Sequence, residues 1–358
     1  MRMGGLKGKN QRTAFLLKLF YFLVIPGLIV VLVPGYILWH RIYAPNVVAG
    51  SEGIVDFYIP TGSEMHDVLD LLEENGLVRR RSTLEWVAAR KNYHNNVHPG
   101  RFRIREGMNN NELVNMLRSG SQAPVNLVFI SQRTIYDIAS VVSRQIEADS
   151  ADIADLASDE EFIRSLGFDR EGIPALLIPN TYQFYWNTSA EGFFRRMRSE
   201  YEKFWNGERE KRRQALGLDR LQVSTLASIV SEETVKHEEM PVIAGVYLNR
   251  LRRGMRLQAD PTIKFAIGDF TVNRILSVHL NVDSPYNTYK YAGLPPGPII
   301  IPPVQAIDAV LDADEHDYLY FCAREDFSGY HRFARTLAEH NRNARLYQDA
   351  LNRRRVFR

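Results

Sequence analysis

The sequence predicts an α+β protein with an N-terminal membrane helix, a small α/β module, and a larger mixed α+β domain with a helical portion. Three observations predict it. Leu19 to Trp39 carries no charged side chain. Residues 54–120 interleave short alternating apolar runs with segments of helical periodicity. Beyond residue 134, long helical periodicities are broken by two loops dense in Pro, Gly and Asn and by short aromatic strands. A chain of 358 residues has room for two domains plus extensions, and 45% hydrophobic with 24% charged residues is ordinary globular composition.

Leu19–Trp39 meets the roughly 20 apolar residues that cross a bilayer as a helix. Pro26 and Gly27 are tolerable there, and Tyr36 and Trp39 suit the far interface. Arg2, Lys7, Lys9, Arg12 and Lys18 precede any acidic residue, which places residues 1–18 as a basic cytoplasmic tail. The helix is then 19–39 and a linker 40–53, with the remainder of this single-pass chain outside the inner (cytoplasmic) membrane. A cleaved signal peptide is the competing reading. Its apolar region is typically about 7–15 residues with small residues at the cut. This run is longer, and only Ala44, Val48 and Ala49 approach such a site, so an uncleaved anchor is favoured. The net charge of +3 is small and much of it is local to the tail, which argues against a nucleic-acid partner. Cys322 is the one cysteine, so no intrachain disulfide or multi-cysteine zinc site exists. In Tyr318–Ala323 it reads as a small buried hydrophobe.

After the linker, Ile54–Pro60 reads as a strand. Thr61-Gly62-Ser63 is a turn ending in an N-cap for a helix over Glu64–Asn75. A helix follows from about Ser82 to Lys91, then a strand over Pro99–Ile104 and a helix over Asn109–Ser119. Together they form a β-α-α-β-α module. Val125–Ile130 is a strand, and Thr134–Leu221 reads as mainly helical with charge runs on solvated faces. Within it, Leu176–Trp186 is aromatic and turn-bearing, either a buried β-turn segment or a cleft wall for a sugar. Met240–Arg253 is an amphipathic helix with Val242, Ile243, Val246, Tyr247 and Leu251 inward. Two rigid loops follow, Leu257–Thr262 and Ser284–Ile299, which either hold themselves together or present Asn, Gln, Tyr and Thr to a polyhydroxy ligand. Ala306–Asp312 is a helix, Tyr318–Ala323 and Tyr330–Phe333 a hairpin, and Leu337–Arg354 a terminal helix.

Glu233 is the candidate catalytic residue. In Leu226–Thr234, read as helix, Leu226, Ile229, Val230 and Glu233 share one stripe. A carboxyl on an apolar stripe loses water, which disfavours its charged form, and a carboxyl protonated near neutral pH can act as a general acid. The alternative is a structural ion pair. Glu232, one step round the helix, is placed to pair with Lys236 at i+4. Other chemistries lack their motifs. His237-Glu238-Glu239-Met240-Pro241 has Pro where a second zinc-binding His belongs, and no G-x-S-x-G, Walker or G-x-G-x-x-G motif stands at a strand–helix junction. No metal and no cofactor is expected.

Ala227-Ser228-Ile229-Val230-x-x-Glu233-Thr234, Val246–Leu251 and Gly254–Thr262 resemble the endolytic murein transglycosylase (MltG, YceG-like) family. Tyr286-Asn287-Thr288-Tyr289, Gly293–Ile299 and His340-Asn341 continue the resemblance in order, and Pro99–Phe102, Gly107-Met108 and Leu117–Gly120 look like its LysM-like module. The resemblance implies a LysM-like module over 54–121, a catalytic domain over 122–345 and a basic C-terminal tail over 346–358. It implies cleavage of the MurNAc–GlcNAc β-1,4 bond within peptidoglycan strands, without water, leaving 1,6-anhydroMurNAc ends and limiting nascent strand length. The implied partners are peptidoglycan glycan strands, the membrane through the N-terminal helix, and peptidoglycan synthases. The family's catalytic Glu falls on Glu233. Gln258, Asp260, Tyr286, Asn287, Tyr289 and Tyr182 are the candidate substrate-binding residues. Relatives often have a Glu at the position of Ser231, and Glu-Gly and Asp where this chain has Pro174-Ala175 and Asn180. A hydrolytic muramidase and a non-catalytic peptidoglycan-binding scaffold remain open beside this reading.

Overall fold

The computed structural model describes residues 15, 17–272 and 274–354. Most of the expected basic tail over 1–18, and the last residues of the C-terminal tail from 355, lie outside the described residues. The chain is mixed α+β, mostly helical, with small two-stranded sheets and an N-terminal apolar helix. It divides into two compact units, Met1–Val125 with Tyr185–Asn187, and Asn126–Phe184 with Thr188–Arg358.

In the first unit a π-helical turn, Phe20–Val24, leads into α1, Ile25–Tyr43. The helical run Leu17–Tyr43 has a mean hydropathy of 2.3 and none of its apolar window is covered by protein. At about 1.5 Å per residue it is long enough for the roughly 30 Å core of a bilayer. The linker expected over 40–53 is not a free linker. Residues 40–43 complete α1, and the next residues are docked. Pro45 bridges to Asn109 and Val47 to Val78. Asn46 and Val47 are buried. Asn46 Nδ2 donates to Asn110 Oδ1 at 2.7 Å, Arg80 N donates to Asn46 Oδ1 at 2.8 Å, and Asn110 Nδ2 donates to the Arg41 carbonyl at 2.7 Å. Two buried amides satisfy the backbone of an extended segment, which hydropathy does not register.

Strands β1 (Ile54–Ile59) and β2 (Gly100–Arg105) pair antiparallel with Phe57 opposite Phe102. Alternation sends Phe57, Ile59, Phe102 and Ile104 to one face. Helices α2 (Met65–Glu74), α3 (Arg81–Arg90) and α4 (Asn110–Arg118) cover that face with Val68, Leu72, Leu84, Val87, Leu113 and Leu117. The cap of α2 is Glu64 rather than Ser63: the Asp67 carboxylate accepts from Glu64 N at 2.8 Å. At Gly100, with φ 137°, a Cβ would collide with the Gln122 side chain, so only glycine fits the start of β2.

The second unit begins within β3 (Val125–Phe129), which pairs with β4 (Asn180–Phe184). Between them lie α5 (Ile135–Ser143), α6 (Ser150–Leu156) and α7 (Glu160–Ser165). After β4 come α8 (Ala190–Phe204), α9 (Gly207–Leu216), α10 (Arg220–Glu233) and α11 (Met240–Arg252). The segment 257–262, expected as loop, is helical from Asp260: α12 spans Asp260–Ile267, opened by Pro261 and stopped by left-handed Gly268. Its eight residues are too short for periodicity to stand out. Helix α13 (Val304–Leu311), the hairpin β5 (Tyr320–Ala323) with β6 (His331–Ala334), and α14 (Leu337–Arg353) complete the unit. Cys322 on β5 is half-buried rather than buried, and that burial pushes its thiol pKa up, away from reactive thiolate.

Candidate active site

Helix α10 is the axis of the second unit. Asp219 caps it by accepting from Gln222 N at 2.7 Å. Every residue from Val223 to Val230 is buried, against α11, α12 and α13. The stripe read from the sequence is too narrow, because this helix is covered on all sides. Its buried hydroxyls include Ser228, whose Oγ donates to the Thr225 carbonyl at 2.7 Å and accepts from Ile299 N at 3.0 Å, tying the Pro-rich loop to the helix.

Glu233 is the last residue of α10, and Thr234 leaves it in an extended conformation. The half-buried Glu233 accepts at Oε1 from the Tyr247 hydroxyl of α11 at 2.6 Å. Burial pushes the Glu233 carboxyl up to about 7. The Tyr247 hydrogen bond and the Arg250 guanidinium oppose that rise, while the charges of Asp260 and Glu232 add to it. Burial also holds the Tyr247 phenol well above its ordinary pKa, so it stays a donor. Arg250 is buried, with Nε donating to the Leu319 carbonyl at 2.7 Å and Nη1 to the Leu257 carbonyl at 2.5 Å. It pins the chain leading into α12 while placing a positive charge near Glu233.

The expected Glu232–Lys236 pair is not formed. With α10 ending at Glu233, no helical turn reaches Lys236. Glu232 Oε2 accepts instead from Arg133 Nη1 at 3.2 Å, and that guanidinium lies 4.2 Å from the Phe270 ring. Ser231 Oγ donates to the Ser228 carbonyl at 3.1 Å.

The two loops read from the sequence are stitched together at Thr288. Its carbonyl accepts from Gln258 N at 3.1 Å, and its Oγ1 accepts from Ala259 N at 3.0 Å and meets Thr262 Oγ1 at 2.8 Å. The Tyr289 hydroxyl donates to Asp260 Oδ1 at 2.5 Å. Gln258 has φ 50°, a left-handed conformation uncommon outside glycine, and its side chain is exposed. Asn287 is fully buried: Nδ2 donates to the Leu280 and Val282 carbonyls at 3.0 and 2.7 Å, and Oδ1 accepts from Tyr289 N at 3.0 Å. Its amide therefore holds its own loop. Tyr286 packs on Phe265 with centroids 4.5 Å apart and lines a cavity of about 300 Å³ with Arg133, Arg170 and Glu171. Tyr182 is buried, its hydroxyl donating to the Ile178 carbonyl at 2.6 Å and its ring stacked with Phe129. That engages it in the core rather than offering a face to a sugar.

Glu233, Asp260 and Tyr289 thus come together with two residues that carry no role in the sequence reading, Tyr247 and Arg250. Tyr247 is legible there as an inward position of its helix and as part of the Val246–Leu251 resemblance, with no role attached. Nothing local links it to Glu233, because the contact needs the α10–α11 crossing. A larger hollow of about 660 Å³, lined by Arg198, Tyr201, Asp219 and Arg220, lies at the start of α10. It is roughly 20 Å along the helix from Glu233 at 1.5 Å per residue. Among the described residues no group of three or more His, Cys, Asp or Glu is arranged to hold a metal.

Residues 57–346 match the YceG-like family. The chain belongs to that family. The matched range runs from β1 into α14 and contains every residue of the Glu233 site. The chain is 27% identical over 340 residues to a Bacillus subtilis protein named endolytic murein transglycosylase, covering 90% of this chain and 92% of that one. It is 30% identical over 330 residues to the protein of the same name from Streptococcus pneumoniae strain D39, covering 82% of this chain and 58% of that longer one. Among solved structures, a YceG-like protein of Listeria monocytogenes superposes with a TM-score of 0.53 at 29% identity, over 81% of this chain and 98% of that one.

Proposed function

We propose that this YceG-like chain is an endolytic murein transglycosylase, the activity its Bacillus and Streptococcus relatives are named for. It cuts the MurNAc–GlcNAc β-1,4 bond inside peptidoglycan strands and leaves 1,6-anhydroMurNAc ends. One observation carries the reading: a carboxyl at the end of a buried helix, poised near neutrality, with one oxygen held by a phenol.

Tyr247 fixes Oε1, so the proton of the neutral acid sits on Oε2. Oε2 gives that proton to the glycosidic oxygen as the C1–O bond breaks. The resulting carboxylate takes the proton of the MurNAc C6 hydroxyl while O6 bonds to C1. The acid is regenerated and no water enters. Attacker and electrophile share one sugar, so proximity replaces a second catalytic group. Tyr247 and Arg250 ease the carboxylate stage, while burial and Asp260 favour the acid stage. Gln258 and Tyr286, at the edges of the site, are the proposed contacts to the sugar's hydroxyl and acetamido groups.

Asp260 favours a second reading. Its carboxylate lies near enough to Glu233 to raise it, and a hydrolytic muramidase needs two carboxylates. Mass spectrometry of products from purified peptidoglycan decides. Anhydro ends, each lighter by one water than a reducing end, are expected; reducing ends would assign the hydrolase, and no product at all a binding scaffold.

The N-terminal helix is proposed as a retained anchor that places both units outside the cytoplasmic membrane. Cleavage after Ala44 or Ala49 would strip Ile42, and in the second case Asn46 and Val47, from the module core they pack into. The module itself is read as LysM-like, facing glycan.

A further inference from the structure

We propose that Arg41 and Arg90, stacked on Trp86, and Arg80, beside His40, seat the phosphate groups of anionic membrane lipids and hold the first unit flush on the bilayer. The proposal rests on the reading of α1 as a retained anchor.

The height is set by how α1 ends. Trp39 is exposed on the apolar helix, and three residues later Ile42 packs against the module core. Three residues of helix rise about 5 Å. The headgroup layer on each side of a bilayer is roughly 5–7 Å thick. No slack along the chain exists between the two, because Asn46, Val47 and Asn110 lock the chain into the module directly after Tyr43, so the module is free only to tilt together with α1. Whatever surrounds residue 41 is therefore at headgroup level.

What surrounds it is cationic. The Arg41 guanidinium lies 5.8 Å from the Trp86 ring and that of Arg90 4.8 Å from the same ring. Arg80 Nη1 is 3.3 Å from His40 Nδ1 on α1. All three arginines are exposed, and among the described residues none forms a salt bridge. Their neighbours do: Arg79 pairs with Glu106, and Arg81 with Asp70 and Glu73. Glu85, the acidic residue of α3, is turned about 100° round the helix from Trp86. Two guanidinium groups sharing one indole repel each other unless an anion lies between them. The phosphate of an anionic lipid, not neutralised by a choline ammonium in its own headgroup, supplies that anion, and an indole suits the same layer.

The test uses the full chain with Cys322→Ala and a nitroxide on Ser82→Cys, which shares a stripe of α3 with Trp86 and Arg90 at i, i+4 and i+8. The protein is placed in nanodiscs of phosphatidylcholine, with or without phosphatidylglycerol, and the label's depth is read by power-saturation resonance. With the anionic lipid, the label is expected within roughly 7 Å of the hydrocarbon boundary. In phosphatidylcholine alone, or with Arg41→Gln, Arg80→Gln and Arg90→Gln combined, its access to an aqueous relaxant should rise several-fold. The wild-type lipid comparison stands by itself if the triple variant fails to fold. A label with equal access in both lipids, wet or dry, overturns the proposal, as does one unmoved by neutralisation. Burial of the label by inorganic phosphate in phosphatidylcholine discs would also overturn it, making this a free-anion site. The intact mass of the membrane-extracted chain reports separately on the anchor, since a cleaved chain would lack residues 1–44 before any depth is measured.

Discussion

Replacing Glu233 by Gln is expected to abolish release of anhydro-ended fragments and, above neutrality, to stabilise the protein. An ordinary Glu titrates near 4.5, whereas burial lifts the folded-state carboxyl to about 7. Between those values the folded chain binds more protons than the unfolded one, so stability falls as pH rises through that window. Below about 4.5 the acid is neutral in both states and contributes nothing. Above about 7 the whole cost of ionising a buried group is present. At 1.36 kcal/mol per unit the upper bound is about 3 kcal/mol, and the partial exposure of Glu233 lowers the expectation to about 1–3 kcal/mol. Gln does not titrate and escapes this cost. With about 2–4 °C per kcal/mol for a domain of this size, the variant should melt roughly 2–12 °C above the wild type near pH 8 and level with it near pH 4.5. Thermal unfolding of the detergent-solubilised chain by circular dichroism, at both pH values, measures this. A melting difference that stays flat across pH would refute a Glu233 held protonated by its surroundings.

Tyr247→Phe removes a hydrogen bond that favours the carboxylate, so the alkaline limb of the kcat/KM profile should move up by about one unit; an unmoved limb would show that the 2.6 Å contact does not tune the acid. Asp260→Asn removes a charge that raises Glu233, and the same limb should move down; an upward move would mean that Asp260 does not act on Glu233 through its charge. Glu232→Gln should stay largely active, since its partner is Arg133; a loss matching that of Glu233→Gln would overturn the division of roles. Gln258→Gly relieves a left-handed residue and should stabilise by about 1 kcal/mol while lowering turnover; a gain in both would show that the side chain has no role with substrate.

The sequence announces the elements whose periodicity is strong. Both strands of the small module, its three helices and the terminal hairpin lie within a residue or two of their expected places. Glu233 is visible because a carboxyl among Leu226, Ile229 and Val230 violates its local pattern. Tyr247 violates nothing, since a phenol on the inward side of an amphipathic helix is ordinary. Its role exists only where α10 and α11 meet. Asn287 and Tyr182 show the opposite failure. Polar and aromatic residues in Pro-rich or turn-bearing segments suggest ligand contacts, yet the structure uses them to satisfy carbonyls at Leu280, Val282 and Ile178. A buried amide closing a loop and an exposed amide holding a sugar have the same composition. Only burial separates them. The docked stretch after Tyr43 is hidden for a similar reason, because the Asn46–Asn110 pair that fixes it is 64 residues apart in sequence.

The unbroken burial of α10 from Val223 to Val230 governs how damage to this protein is distributed. Polar replacements along those residues, Ser224, Thr225 and Ser228 included, strike the packing on which every neighbouring helix depends. They would silence the protein by emptying the cell of folded chain. Only in the final turn, where the helix emerges at Ser231, Glu232 and Glu233, do survival of the fold and survival of the activity become separable traits. Inactive alleles that still accumulate at normal abundance should therefore cluster at that end, with the rest of the helix marked by alleles that vanish.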